Sequence, residues 1–232
     1  MLDSLLARAR DRGHAFTVYR GDEPTEFESL LSAHGVEYEV HALPPTGPDP
    51  FVLIETDGEF AGVIGAAELE GLFDPPIVRP GERDGVSPGY RAIFELFDDT
   101  LFASMRRGAL LAVSREIEDR AYRTGTGTLR ASFQRLSAFR PQVDAYRHLA
   151  ADTDLAVHVY GADDWEPPTI PGVTYHVTGD DDLDRFWVLA FDGGEEGQAC
   201  GLVAKEESDE YTGVWTDDPA VVEEMLAALA AA

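Results

Sequence analysis

The chain has 232 residues, with 44 Asp and Glu against 18 Lys and Arg, and a formal net charge of −26. Its length is enough to bury a sizeable core, and its 44% hydrophobic and 10% aromatic content is that of a folded protein. Carboxylates spread along the whole chain argue against nucleic acid or an anionic membrane as partner. Lys205 is the sole lysine and the other 17 basic residues are arginines. This composition is expected of a halophilic, archaeal-type cytoplasm, because molar salt shortens the Debye length to about 3 Å and removes most of the self-repulsion.

In chain order, residues 2–12 carry leucines at helical spacing and predict a helix stopped at Gly13. Residues 14–20 predict a strand, 24–34 a helix opened by Pro24, and 36–43 an alternating strand. The Pro-rich stretch 44–50 is a loop, and 51–65 reads as two strands joined at Asp57-Gly58. A short helix at 66–72 and a long Pro/Gly-rich loop at 73–89 follow, the loop marking a boundary. Beyond it, 89–104 and 107–124 both show helical spacing, and Gly125 sits where a helix-ending glycine belongs. A strand at 127–133, a helix at 141–151 and strands at 155–161 and 172–178 come next. Residues 185–207 predict two strands around Asp192-Gly193, and 211–217 lead into a helix at 218–230, with Asp217 or Asp218 as cap and Pro219 in its first turn.

The two ends are alike. The patterns at 5–21, 36–40 and 51–65 recur at 145–161, 173–177 and 186–201, at offsets falling from about 141 to about 135 residues. The expected fold is α/β (α+β-like): two similar α/β sheet units, consistent with a pseudo-twofold duplication, flanking a helical middle. The expected division is an N-terminal α/β unit at 1–85 and a core at 89–232 holding the helix 107–124 and the C-terminal α/β unit, an arrangement compatible with one compact domain.

The run LLAVSREIEDRAYRTGTGTLRASFQRLSAF at 110–139 resembles the DICT domain family. The resemblance continues through 153–165, 186–194, 198–204 and 213–226, about half the chain. It implies a sensory input role in signal transduction, and no ligand or catalytic residue is carried over with it. No kinase phosphoacceptor helix, ATP-binding domain or cyclase motif is present. The resemblance therefore implies a stand-alone sensory module of the kind found in halophilic archaea. It would be non-enzymatic and would act on a separately encoded histidine kinase or transcription regulator; the resemblance names no cofactor.

On the helix 107–124, Arg115/Asp119 and Glu116/Arg120 stand four residues apart. One reading is a solvated charged face. The other is that Arg115, Glu118, Asp119 and Arg123 line a groove for a ligand or partner, with Ser114 and Ile117 facing the body. Five of the 17 arginines lie between 115 and 135, so an anionic ligand would be drawn there. Phe133, Gln134, Trp165 and Trp215 are candidate walls of an aromatic pocket, with plain core packing as the alternative. The glycines at 125 and 127 follow a helix rather than open one, so a phosphate loop is rejected. His14, His34, His41, His148, His158 and His176 form no metal-ligand spacing, though a site joining His41, His158 and His176 across the duplication is conceivable. Acid pairs such as Asp98-Asp99 carry little information among so many carboxylates. Cys200 reads as a small buried strand residue. With no signal peptide and no apolar run long enough to cross a membrane, the expected location is the cytoplasm. The rival functional readings are a pure interaction module and an enzyme with an acid-based site.

Overall fold

The computed structural model describes residues 2–10, 14–33, 36–56, 58–66, 102–105, 107–179, 183–207 and 210–232. The first unit runs α1 (Leu2–Arg10), β1 (His14–Arg20), α2 (Glu26–Ala33), β2 (Tyr38–Ala42), β3 (Phe51–Thr56) and β4 (Glu59–Gly65). Its four strands lie in the order β2-β1-β3-β4, with β1 parallel to β2 and antiparallel to β3, and β3 antiparallel to β4. Alternation sends Phe16, Val18, Val52, Ile54 and Ile64 to one buried face. A capping box opens α2: the Thr25 amide donates to Glu28 Oε1 at 2.9 Å, and Glu28 also holds Arg20 Nε at 2.6 Å.

The second part runs β5 (Phe102–Met105), α3 (Arg107–Thr124), β6 (Thr126–Arg135), a 3-10 turn at Leu136–Gln142, α4 (Val143–Asp152), β7 (Asp154–Ala162), β8 (Val173–Val177), β9 (Phe186–Phe191), β10 (Cys200–Glu207), β11 (Glu210–Thr216) and α5 (Pro219–Ala230). Its strands form one seven-stranded sheet in the order β5-β11-β10-β9-β6-β7-β8. Helices cover both faces. α3 packs on β6, β9, β10 and β11, and α4 on β7; α5 packs on β9, β10 and β6, and α1 on β10 and β11. β9, the central strand, is buried at all six positions, as a strand covered on both faces must be.

The mixed α/β expectation with two sheets agrees with this architecture. Strand order also repeats: β8-β7 parallel and β9-β10 antiparallel echo β2-β1 and β3-β4, with β6 inserted between β7 and β9. The helices do not repeat in the same way. α2 has no counterpart between β7 and β8, and α1 packs on the seven-stranded sheet rather than beside β1.

One predicted element is corrected. Residues 102–104, read as the end of a helix, are strand: β5 is the edge strand and pairs antiparallel with β11 through Met105–Tyr211 and Phe102–Gly213. Backbone pairing along an open edge overrides the three- and four-residue apolar spacing. The remainder of that helix, the short helix expected at 66–72 (beyond Ala66) and the loop at 73–89 lie outside the described residues. The turn at Asp192-Gly193 is also wider than a two-residue hairpin. Gly193 has φ +85°, a 3-10 turn spans Gly194–Glu196, and Asp192 Oδ1 accepts from the amides of Thr128 and Gly194, each at 2.9 Å. Gly125 ends α3 at φ +72°, its amide donating to the Ala121 carbonyl at 2.9 Å.

Candidate site along the buried charged helix

The sequence of α3 places Leu110, Val113, Ile117 and Ala121 on one buried stripe, and Ser114 is buried with them, facing the body as expected. The charged residues between them are not a solvated face. Glu116, Glu118, Asp119 and Arg120 are all buried, and Glu116 is only 2% exposed. The solvated reading fails because α3 lies against four strands, its acids pair with arginines of the same helix, and Arg115 and Arg120 reach partners on other segments.

Those partners fall into two groups. Toward α4, Arg115 pairs with Glu118 and donates to Gln142, the residue that opens α4. Burial lifts the Glu118 carboxyl above its ordinary range, against the pull of Arg115. Burial, reinforced by the Glu118 charge, pushes the Tyr146 hydroxyl well above the usual phenol range. Toward α5, Arg120 holds Asp217 at 2.8 Å and Glu116 at 3.5 Å. Asp217 therefore serves α3, while its neighbour Asp218 caps α5, accepting from the Ala220 amide at 2.9 Å. Burial also raises the Glu116 carboxyl, and neither of its oxygens accepts a hydrogen bond, although Arg123 approaches at 3.6 Å. Arg123 pairs with Asp119 at the more open end. The expected Arg115–Asp119 pair is replaced by Arg115–Glu118 and Arg123–Asp119; the expected Glu116–Arg120 pair forms.

The aromatic candidates are scattered. Phe133 belongs to a buried cluster with Phe139, Tyr146 and Trp187, at ring separations of 5.3, 5.9 and 6.3 Å. Tyr146 thus joins Phe133 to Glu118. Trp215 is 2% exposed and is core, so it walls no open pocket. Trp165 is half-buried, with the Arg140 guanidinium 4.9 Å from its ring centroid. Gln134 sits in the β6 irregularity with φ +63°, an uncommon conformation outside glycine, and its Nε2 donates to Glu206 at 3.0 Å. Cys200 is fully buried, and burial pushes its thiol up to about 12.

The sequence reading missed Gln142, Tyr146 and Asp217 as members of the network. A buffered buried charge needs a partner, but sequence spacing does not identify one from another element. Of the conceivable site joining His41, His158 and His176, the structure brings two members together in a second polar cluster. His158 Nδ1 and His176 Nε2 lie 3.0 Å apart, Tyr160 stacks on His176 at 4.4 Å, and Arg130 donates to the Tyr160 hydroxyl. His41 stands apart from this pair in the chain's first sheet, against Glu39 and the ring of Tyr19. Among the described residues no group of three or more His, Cys, Asp or Glu could hold a metal ion, and no helix is long and apolar enough to cross a membrane.

Residues 98–207 match the model of the DICT family, described as a sensory domain in diguanylate cyclases and two-component systems. The match takes in α3 through β10, whereas β11 and α5, which the sequence resemblance included, lie beyond it. No curated protein matches the chain. Among solved structures, the chain is similar to a polyphosphate kinase from Porphyromonas gingivalis at 12% identity and a TM-score of 0.38, over 99% of this chain and 47% of that one. The chain thus spans about half that protein's length. The α3 signature and the strands β6 to β10 that follow it lie inside this segment, 110 of the 232 residues, and the match is consistent with a DICT domain-containing protein.

Proposed function

We propose that the chain is a non-enzymatic signal-input module of the cytoplasm. It binds a small effector or a partner protein near α3 and passes the change to a separately encoded histidine kinase or transcription regulator. The family's description as a sensory domain supports the sensory part. The observation that carries the site is the double anchoring of α3: Arg115 reaches Gln142 at the start of α4, and Arg120 reaches Asp217 before α5. A helix tied by a hydrogen bond to the start of one helix and by an ion pair to the residue before another is a suitable element for converting a local binding event into a change of packing. Arg123, Gln134 and Trp165 are the members of the predicted set with accessible side chains, so contact with an effector or partner falls to them, while Arg115, Glu118 and Asp119 hold the helix.

Purification in molar salt, followed by an absorption spectrum and mass analysis of the extract, tests this. A stoichiometric small molecule, or a co-purifying kinase or regulator lost on Arg123→Glu, is the expected result. An empty protein with no such partner overturns the sensory reading.

A further inference from the structure

The His158–His176 pair lies on the face of the seven-stranded sheet opposite α3. Strand register sets it out in two rows across β6, β7 and β8: Arg130, His158 and Thr174 in one, Ser132, Tyr160 and His176 in the other. Ala156 and Thr174 on this face are exposed, His158, His176 and Arg130 are half-buried, and Tyr160 is buried.

Two independent features point to a ligand. The first is charge. Arg20, Arg115, Arg120, Arg123 and Arg147 each hold a carboxylate, in a chain with 44 acidic residues. Arg130, like Arg107 and Arg140, is in no ion pair among the described residues, but it alone of these three stands beside two imidazoles, its contacts being with Tyr160 through the hydroxyl and over the ring at 5.9 Å. The second is an unanswered hydroxyl. Ser132 Oγ, 1% exposed as a residue and in the same row as Tyr160 and His176, has no hydrogen-bond partner, and neither has Thr178 Oγ1, two residues beyond His176. A buried hydroxyl without a partner is costly.

We propose that Arg130, His158 and His176 form a binding site for a dianionic tetrahedral oxyanion, a free phosphate or the phosphate group of a monoester. At neutral pH the two rings share one N–H···N bond, leaving one outer ring nitrogen as a donor and the other as an acceptor. One proton added to the pair makes both outer nitrogens donors and leaves the bridge intact. The pair then carries one positive charge and Arg130 a second, which together match a dianion. Burial first, and then the Arg130 charge, holds both imidazoles below the usual histidine range in the free protein, so that proton arrives with the anion. Tyr160 from β7 stacks on His176, and Arg130 from β6, in register with His158, acts on both rings through its charge; Asp184 and Arg185 stand on the turn that packs on β6 and β7. This site does not depend on the reading of α3, and either can fail without the other.

The test is a titration of the full chain with inorganic phosphate and, separately, methyl phosphate, in molar potassium chloride, read by the ring 15N signals of its histidines. Saturable shifts confined to His158 and His176, with proton uptake on binding, are expected. Arg130→Gln should weaken the response at least tenfold, and Arg130→Lys by less, with thermal melts confirming that both fold. Tighter binding of methyl phosphate would assign an esterified ligand and tighter binding of phosphate the free ion; both support the site. Shifts that never saturate, or that persist undiminished in both variants, would overturn it. So would saturation of the pair by zinc with no effect of phosphate.

Discussion

Replacing Arg120 by Met tests whether the charges of α3 are structural. The guanidinium is 8% exposed and holds Asp217 at 2.8 Å and Glu116 at 3.5 Å. Met fills much of the same volume but leaves Glu116, with a side chain 1% exposed, facing only Arg123 at 3.6 Å. Removing one partner from a buried pair costs about 3–5 kcal/mol. Asp217, 30% exposed, recovers part of its hydration, which places the expected loss near the lower end, at about 3 kcal/mol. For a chain of this size that lowers Tm by roughly 6–12 °C. Chemical denaturation of Arg120→Met, Glu116→Gln and the double variant, in low and in molar salt, measures it. Neutralising Glu116 in the Met background should restore about 1–2 kcal/mol, the coupling expected of groups in one network. The loss should also persist in molar salt, since buried pairs are screened far less than exposed ones. A cost below about 1 kcal/mol that disappears with salt would be that of a surface ion pair and would refute the argument.

Three further outcomes follow from the same geometry. His158 and His176 have folded-state affinities for protons lowered by burial and by Arg130. The unfolded chain therefore binds protons first as pH falls, and stability should decline below the ordinary histidine range of about 6.5, a slope that the double variant His158→Gln/His176→Gln flattens in denaturation at pH 5 to 8. Gly201→Ala should destabilise by about 1–3 kcal/mol, because a Cβ there would lie 2.6 Å from Met225 Sδ and 3.3 Å from the Leu189 carbonyl, and a lower Tm for Gly201→Ala than for the exposed Ala227→Gly control is the check. The Cys200 thiol, pushed up to about 12 by burial, should not react with a thiol reagent at pH 8 until the protein is unfolded; prompt labelling of the native protein would contradict its placement in the core.

What the sequence made legible is what local pattern determines. Alternation located β2, the Asp-Gly turns located the strand pairs β3–β4 and β9–β10, the stop at Gly125 located the end of α3, and Pro219 and Asp218 located the start of α5. What it did not make legible depends on contacts between distant segments. A charged helix has the same 3.6-residue period whether its carboxylates face water or a sheet, so α3 looked solvated until β9, β10 and β11 were placed against it. The partners of Arg115 and Arg120 lie 27 and 97 residues away. β5 was read as helix for the same reason: pairing with β11 is long-range, and the local apolar spacing pointed elsewhere. The histidine cluster was reachable in part. His158 and His176 were named with His41 as a conceivable joint site, but only the parallel register of β7 and β8 sets Tyr160 opposite His176 and so brings those two imidazoles together without His41.

Burying so many charges along α3 is not explained by stability alone, since apolar side chains of similar volume could serve as well or better. Position is the better explanation. Arg115 and Arg120 are five residues apart, about 7.5 Å along the helix axis, and point to partners on different elements. Only one axial setting of α3 satisfies Gln142 and Asp217 together. A slide of one turn, about 5.4 Å, would part Arg115 from Gln142 and Arg120 from Asp217, while the pairs within α3 would travel with the helix. An apolar stripe of Leu110, Val113, Ile117 and Ala121 would tolerate such a slide with far less penalty, because dispersion and burial are not directional. The contacts of Arg115 and Arg120 thus give α3 a defined resting position between α4 and α5. A helix with one well-defined position, held by contacts that fail together, can be displaced as a unit, and that is the physical requirement for an element that reports a binding event elsewhere in the fold.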